Sequence, residues 1–367
     1  MQKRFLLATA ACLAFCAACA FAQEPTDGAS PSKFEELLQK ADATPSFSVK
    51  ADYYSKALDE WKDGADSLLR KRLTYERLAM CYLAMNDAFN AQQQMEFAID
   101  IDSTSISAHA GMGHIFALEA RYDKALEQTD IAIALTQNDQ RAPLYYQRGV
   151  IETMGTTDVR PALADLTTAY SLARENNLPE VARKSLMRRG ILKCRARDYA
   201  GGEADLVSSQ DFAKKTDRPD FLLELGKCYQ MDSKLPEAIS SYSAFIRSAA
   251  GKDEKEAPVR EFPRLPEAYC RRAEAREEAG QDNGALTDYS RGIYLRIDGE
   301  NTPVSLFADQ DTTYDMANCY YGRGGLYEMQ GERMFASQDY EQACKMKKED
   351  ACKKTAQAAA TTKERGQ

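Results

Sequence analysis

Small residues return at a fixed interval along this chain. Ala79, Ala91 and Ala98 are followed 34 residues later by Gly113, Ala125 and Ala132. A period of this length, with small side chains at constant phase, specifies stacked helix–turn–helix units that bury their apolar faces against one another. Within a unit, Ala79 and Ala91 lie twelve positions apart. Two helices cross closely only where neither carries a bulky side chain at the contact. Large residues three and four positions away then fill the flanks of that contact.

The first unit reads Tyr75, Leu78, Ala79 and Tyr82, then Ala91, Met95 and Ala98. The second reads Met112, Gly113 and Phe116, then Ala125, Thr129 and Ala132. Five further small pairs follow: Gly149 with Ala162, Gly190 with Gly202, Gly226 with Ala238, Ala273 with Ala285, and Gly324 with Ala336. The third unit has one extra residue, at the Gly155-Thr156-Thr157 turn. Asn86-Asp87, Gly280-Gln281-Asp282-Asn283 and Gly331 supply turn chemistry between the helices. The pattern resembles the tetratricopeptide repeat (TPR), whose helix A carries Trp-x-x-Leu-Gly-x-x-Tyr and whose helix B carries Ala-x-x-x-Phe-x-x-Ala. The resemblance covers roughly residues 32 to 358 and implies an exported bacterial member of that family. The implied fold is all-α, a right-handed superhelical solenoid of antiparallel helix pairs. The expected segments are a signal peptide (1–22), a flexible linker (23–31), a degenerate N-terminal helical hairpin (32–64), seven repeats plus a C-terminal capping helix (65–358), and a disordered tail (359–367).

A second pattern sits inside the first. Four repeats carry Arg before the small residue of helix A: Arg148, Arg189, Arg272 and Arg323. The same four carry Asp before the large residue of helix B: Asp165, Asp205, Asp288 and Asp339. The other three have Leu78, Met112 and Leu225, with Gln94, Gln128 and Ser241 opposite. Positions that switch together predict structural ion pairs inside each repeat; an Arg ladder for anionic ligands is the alternative.

The N-terminus reads as a targeting segment: Lys3 and Arg4, an apolar run from Phe5 to Phe21, and a small-x-small signal at Ala20-Phe21-Ala22. Neither Leu13-Ala14-Phe15-Cys16 nor Cys16-Ala17-Ala18-Cys19 completes a lipidation pattern, so the expected location is periplasmic or secreted. The formal charge is −8, becoming −10 without Lys3 and Arg4. That balance argues against nucleic acid and against an anionic membrane surface as partners. No second apolar run is long enough to span a bilayer.

Cleavage leaves seven of the ten cysteines. Cys344 and Cys352 predict a disulfide across a helical corner, with a zinc site as the runner-up. Cys81, Cys194, Cys228, Cys270 and Cys319 fall in A helices and read as buried thiols. Two connectors interrupt the period, Gly251 to Pro266 and Asp298 to Thr312, as functional loops or neutral insertions. Catalytic signals are thin. His109 and His114 are the only histidines, and they sit at packing positions. Gly111-Met112-Gly113 and Gly322-Arg323-Gly324-Gly325 follow no strand and are not phosphate loops. The expectation is no enzyme, no cofactor and no metal.

In the TPR family the concave surface is lined by helix A. Carried onto this chain, that lining is Tyr146, Val150 and Met154, then Met187, Ile191 and Cys194, then Leu223, Gln230 and Met231. It turns acidic at Glu267, Glu274, Glu277, Glu278 and Glu328. The resemblance thus implies a scaffold holding an apolar or basic segment of a protein or peptide; some of these residues could instead pack between repeats. A structural subunit of an envelope assembly is a second reading. A glycan or small-ligand binder is a third, with only Trp61 for indole stacking. Lys184 and Lys227 do not reproduce the Lys/Asn/Arg clamp of chaperone-binding members.

Overall fold

The computed structural model describes residues 32–62, 67–137, 140–212, 219–250, 264–298 and 316–365. The expected signal peptide, linker and most of both long connectors lie outside them. Among the described residues there are 17 α-helices and no strand, and none of the helices is long and apolar enough to cross a membrane. The chain divides into two compact units, the first running to Arg189 and the second beginning at Gly190.

The first unit opens with a hairpin, α1 (Lys33–Ala43) and α2 (Phe47–Glu60). Phe34, Leu37, Leu38, Ala51 and Tyr54 bury its seam, together with Leu78 and Cys81 of the next helix. Three pairs follow: α3 (Leu68–Ala84) with α4 (Ala88–Ile101), α5 (Ile106–Leu118) with α6 (Tyr122–Leu135), and α7 (Ala142–Gly155) with α8 (Arg160–Glu175). α9 (Pro179–Arg195) begins in this unit and ends in the second. The second unit continues with α10 (Tyr199–Ser209), then α11 (Asp220–Met231) with α12 (Leu235–Ala250), α13 (Leu265–Glu278) with α14 (Asp282–Asp298), and α15 (Met316–Met329) with α16 (Arg333–Lys345). α17 (Glu349–Arg365) packs on α16 and continues through the stretch from 359 assigned above to a tail.

The periodic small residues are where the helices of a pair touch. A Cβ added at Gly113 would sit 3.0 Å from the Ala125 carbonyl oxygen, and one at Gly190 would sit 2.9 Å from that of Gly202. No side chain fits there without separating the helices. Seven positions after the small residue, six pairs turn through a left-handed residue: Asn86, Ala120, Arg197, Ser233, Gly280 and Gly331. The next amide then closes the helix end, as Asp87 N does on Tyr82 O at 2.8 Å. The third repeat departs from this at its extra residue, and Thr156 is extended instead.

Three of the predicted Arg–Asp pairs each lie within a single unit, and all three form. Arg148 Nε and Nη2 donate to Asp165 at 2.6 and 2.8 Å, Arg272 to Asp288 at 2.8 and 2.7 Å, and Arg323 to Asp339 at 2.7 Å twice. The three aspartates are buried. Arg189 ends the first unit and Asp205 lies in the second. In its own unit Arg189 donates to Thr167 Oγ1 at 3.1 Å, and Asp205 pairs with Lys193 at 2.8 Å. Each arginine has a second role that the pairing rule misses. Its Nη1 reaches helix B of the preceding repeat at one constant phase: Asp130, Thr167, Ser243 and Ser290. The guanidinium therefore ties a repeat to itself and to its neighbour.

The cysteines need one correction. Cys194 is bonded to Cys228 and Cys270 to Cys319, so four of the five supposed buried thiols are disulfides. Spacings of 34 and 49 residues carry no local signal, because consecutive A helices bring the sulfurs together only after the repeats stack. Cys344 and Cys352 are joined as well, which leaves no role for zinc there; Cys81 is a buried thiol.

Candidate functional site

In the last three repeats the large residue of helix B is Tyr: Tyr242, Tyr289 and Tyr340. Each phenol reaches across its hairpin and donates to a helix A residue twelve positions earlier. Tyr242 bonds Gln230 at 3.0 Å, Tyr289 bonds Glu277 at 2.8 Å, and Tyr340 bonds Glu328 at 2.7 Å. The opposite side must stay small for the ring to pass. A Cβ on Gly226 would strike the Tyr242 ring, and one on Gly322 would strike the Tyr289 hydroxyl. The four earlier repeats have Met95, Thr129, Leu166 and Leu206, facing Leu83, Ala117, Thr153 and Cys194. This second co-switching pair is also present in the sequence, where Tyr at a large core position reads as packing alone.

The phenols of Tyr289 and Tyr340 help line a cavity of about 430 Å³ within the second unit. Its walls come from α13 (Glu274, Glu277), α15 (Tyr321, Gly322, Gly325, Glu328, Met329) and the tips of Tyr289, Tyr340 and Lys354. Glu328 is held by Lys354 at 2.7 Å, and Glu274 by Arg271 at 3.1 Å. Among the described residues Glu277 has a phenol and no cation. Burial pushes its carboxyl above the ordinary range; the like charges of Asp282, Glu274 and Glu278 add to this, and the Tyr289 hydrogen bond opposes it. Glu328 moves the other way, held down by Lys354 first and Tyr340 second. Glu278 is exposed and accepts from Gln230 at 2.8 Å.

Other expected lining residues divide between surface and core. Tyr146, Val150, Met154 and Met187 in the first unit are half-buried, as is Ile191 in the second. Met231 is 44% exposed. Leu223 is a correction: it is fully buried with Tyr242, Phe245 and Leu265, because the next hairpin covers it. Cys194 is consumed by its disulfide. Glu267 is also core. It joins Glu224, Lys227 and Arg264 in a ring of alternating charge: Glu224 to Lys227 at 3.3 Å, Lys227 to Glu267 at 2.5 Å, Glu267 to Arg264 at 3.0 Å, and Arg264 to Glu224 at 2.5 Å. Although burial opposes it, the Lys227 and Arg264 charges hold the Glu224 carboxyl at about 2. The ring is neutral and each of its charges is paired within it, so it presents no net charge to a ligand. His109 is a satisfied core residue, bonded to Gln128 and the Ser103 carbonyl.

Solved structures share this architecture. A signal-transduction ATPase with numerous domains and a tetratricopeptide repeat sensor, from Pyrococcus horikoshii, aligns with a TM-score of 0.62 and 12% identity, over 89% of this chain and 48% of that one. Apo RapI aligns with a TM-score of 0.53 and 12% identity, over 72% of this chain and 97% of that one. The APC/C heterotetramer Cut9–Hcn1 gives 0.51 and 14% identity, over 72% of this chain and 49% of the matched chain. This chain thus spans about half the length of the first and third. No protein-family model and no curated protein matches the sequence. The likeness is one of fold, an all-α array of TPR-like repeats.

Proposed function

We propose that this protein is an exported, non-enzymatic scaffold that holds a protein or peptide partner on the helix A side of its repeats. The observation that carries the reading is the cavity on α13 and α15. Its carboxylates face open space, whereas the charged ring of Glu224, Lys227, Arg264 and Glu267 is spent within the core. A fold of stacked helix pairs supports a binding role, since each pair adds surface without a shared active-site crevice. Export is supported by the N-terminal targeting pattern together with three disulfides, which persist in oxidising compartments. The acidic charge disfavours nucleic acid as the partner.

The test is crosslinked capture of the mature protein in its native envelope, identified by mass spectrometry. A reproducible partner lost on Met187→Glu with Ile191→Glu, or on Met231→Glu, supports a scaffold acting through helix A. A partner indifferent to all three changes moves the binding surface elsewhere and refutes this reading.

A further inference from the structure

The cavity between α13, α15 and α17 has a chemistry more specific than its acidity. It presents three carboxylates, Glu274, Glu277 and Glu328, against a single ammonium, Lys354, which is already tied to Glu328. Arg271 offsets Glu274 from outside the cavity. Glu277 is left with one phenol donor and three like-charged neighbours, so one wall carries uncompensated negative charge. The remaining walls are the rings of Tyr289, Tyr321 and Tyr340, the thioether of Met329, the Asn318 amide, and Gly322 and Gly325. Aromatic rings beside a carboxylate suit a weakly hydrated planar cation, which stacks on a face while it donates from its edge. An ammonium is more strongly hydrated and has no plane to stack.

The cavity is also held open. Gly322 leaves room for the Tyr289 hydroxyl, which is thereby kept on Glu277. A Cβ added at Gly325 would meet nothing closer than the Tyr340 hydroxyl at 3.9 Å, so a side chain at 325 would project into free volume. Both glycines sit in a helix, where glycine is destabilising by about 0.5–1 kcal/mol relative to alanine. The twelve-residue phase accounts for Gly324 as the crossing residue, and Tyr289 accounts for Gly322. Nothing in the helix packing accounts for Gly325.

From charge complementarity and this lining we propose that the cavity docks one arginine side chain of an extended partner segment, its guanidinium on Glu277 and its plane against the tyrosine rings. The inference rests on the scaffold reading and names the feature of the partner that this site selects.

The experiment is a random-peptide display selection on the full mature chain, run in parallel on the wild type, Gly325→Leu and Glu277→Gln. Melting curves and far-UV circular dichroism establish that each variant folds. Peptides enriched in one fixed arginine on the wild type, and losing that enrichment on both variants, support the assignment. For the best synthetic peptide, replacing that arginine with glutamine should weaken binding about tenfold or more, the loss expected for a charged hydrogen-bonded group. On Glu277→Gln the same replacement should cost little. If Gly325→Leu does not fold, Glu277→Gln carries the comparison alone. Peptides recovered without arginine enrichment, or an arginine preference surviving Glu277→Gln, overturn the docking site while leaving the scaffold standing. Recovery of no peptide at all counts against the scaffold reading itself. Spermidine displacing the peptide as well as free peptide does would identify a small-cation site and overturn the segment proposal.

Discussion

Arg323 decides whether the buried ion pairs hold the repeats together or are merely compatible with them. Asp339 is 4% exposed and receives two hydrogen bonds of 2.7 Å from Arg323, whose third nitrogen reaches Ser290 of the preceding repeat at 3.3 Å. Arg323→Met keeps an unbranched stem beside Tyr320 and Tyr327 and deletes the charge. Asp339 is then stranded. Removing one partner of a fully buried pair costs about 3–5 kcal/mol. The Arg323 side chain is 19% exposed, so water can enter the vacated space, and the expected loss falls to roughly 2–4 kcal/mol. Adding Asp339→Leu removes the stranded carboxylate and should recover the double variant to within about 1 kcal/mol of the wild type. Urea unfolding followed by circular dichroism reads the four corners of the cycle, with linear extrapolation. Hydrogen exchange localises the effect, which in a nearest-neighbour array should appear first in α15, α16 and α17. The reasoning is refuted if Arg323→Met unfolds within about 0.5 kcal/mol of the wild type. It is equally refuted if the double variant is no more stable than the single.

Three further outcomes follow from the same structure. Reducing the disulfides, with loop spans of 34, 49 and 8 residues, should cost roughly 4, 4 and 2.5 kcal/mol by chain entropy, all of it in the second unit; hydrogen exchange falling equally in α3 to α7 would contradict this. Burial lowers the buried His114 imidazole to about 3 against 6.5 in the unfolded chain, so the unfolded state binds the extra proton between those values and stability falls as pH drops from 6.5 towards 3. His114→Leu should flatten that part of a melting-temperature profile, and an unchanged slope would show that other groups cause it. Arg197 turns with φ 66°, a conformation that disfavours any side chain, so Arg197→Gly should raise stability by up to about 1 kcal/mol in thermal unfolding, and a loss would mean that its side chain supplies more than the strain removes.

The fold was legible because its signal is one-dimensional and redundant. The small residues of each pair recur at one phase, and any single repeat's departure is outvoted by the others. The Arg–Asp pairing was legible for the same reason, since two positions switch together across seven repeats. The site was less legible. The lining rule transferred from the family counts positions along helix A, but exposure depends on what the neighbouring repeat covers. Leu223 and Glu267 satisfy the count and are buried, one by the next hairpin's apolar seam and the other by Lys227 and Arg264. Tyr289 and Tyr340 fail the count because they belong to helix B, yet they reach the helix A side. A side chain long enough to cross a hairpin escapes any rule written for one helix.

The same limit explains the cysteines and gives them a physical sense. In an array of this kind, stability is the sum of what each repeat contributes and what each interface adds. Where the arginine is present, part of the interface term is polar, through its reach to the preceding helix B. The fifth repeat has Leu225 at that position and so lacks the bridge back to the fourth. Cys194–Cys228 joins those two repeats covalently. Cys270–Cys319 joins the sixth repeat to the seventh across the second long connector, where sequence neighbours do the least to fix one hairpin on the next. The two ties between repeats thus each cross an interface at which one of the ordinary couplings, the arginine bridge or a short turn, is missing. That is a property of stacked pairs, and no single repeat carries it.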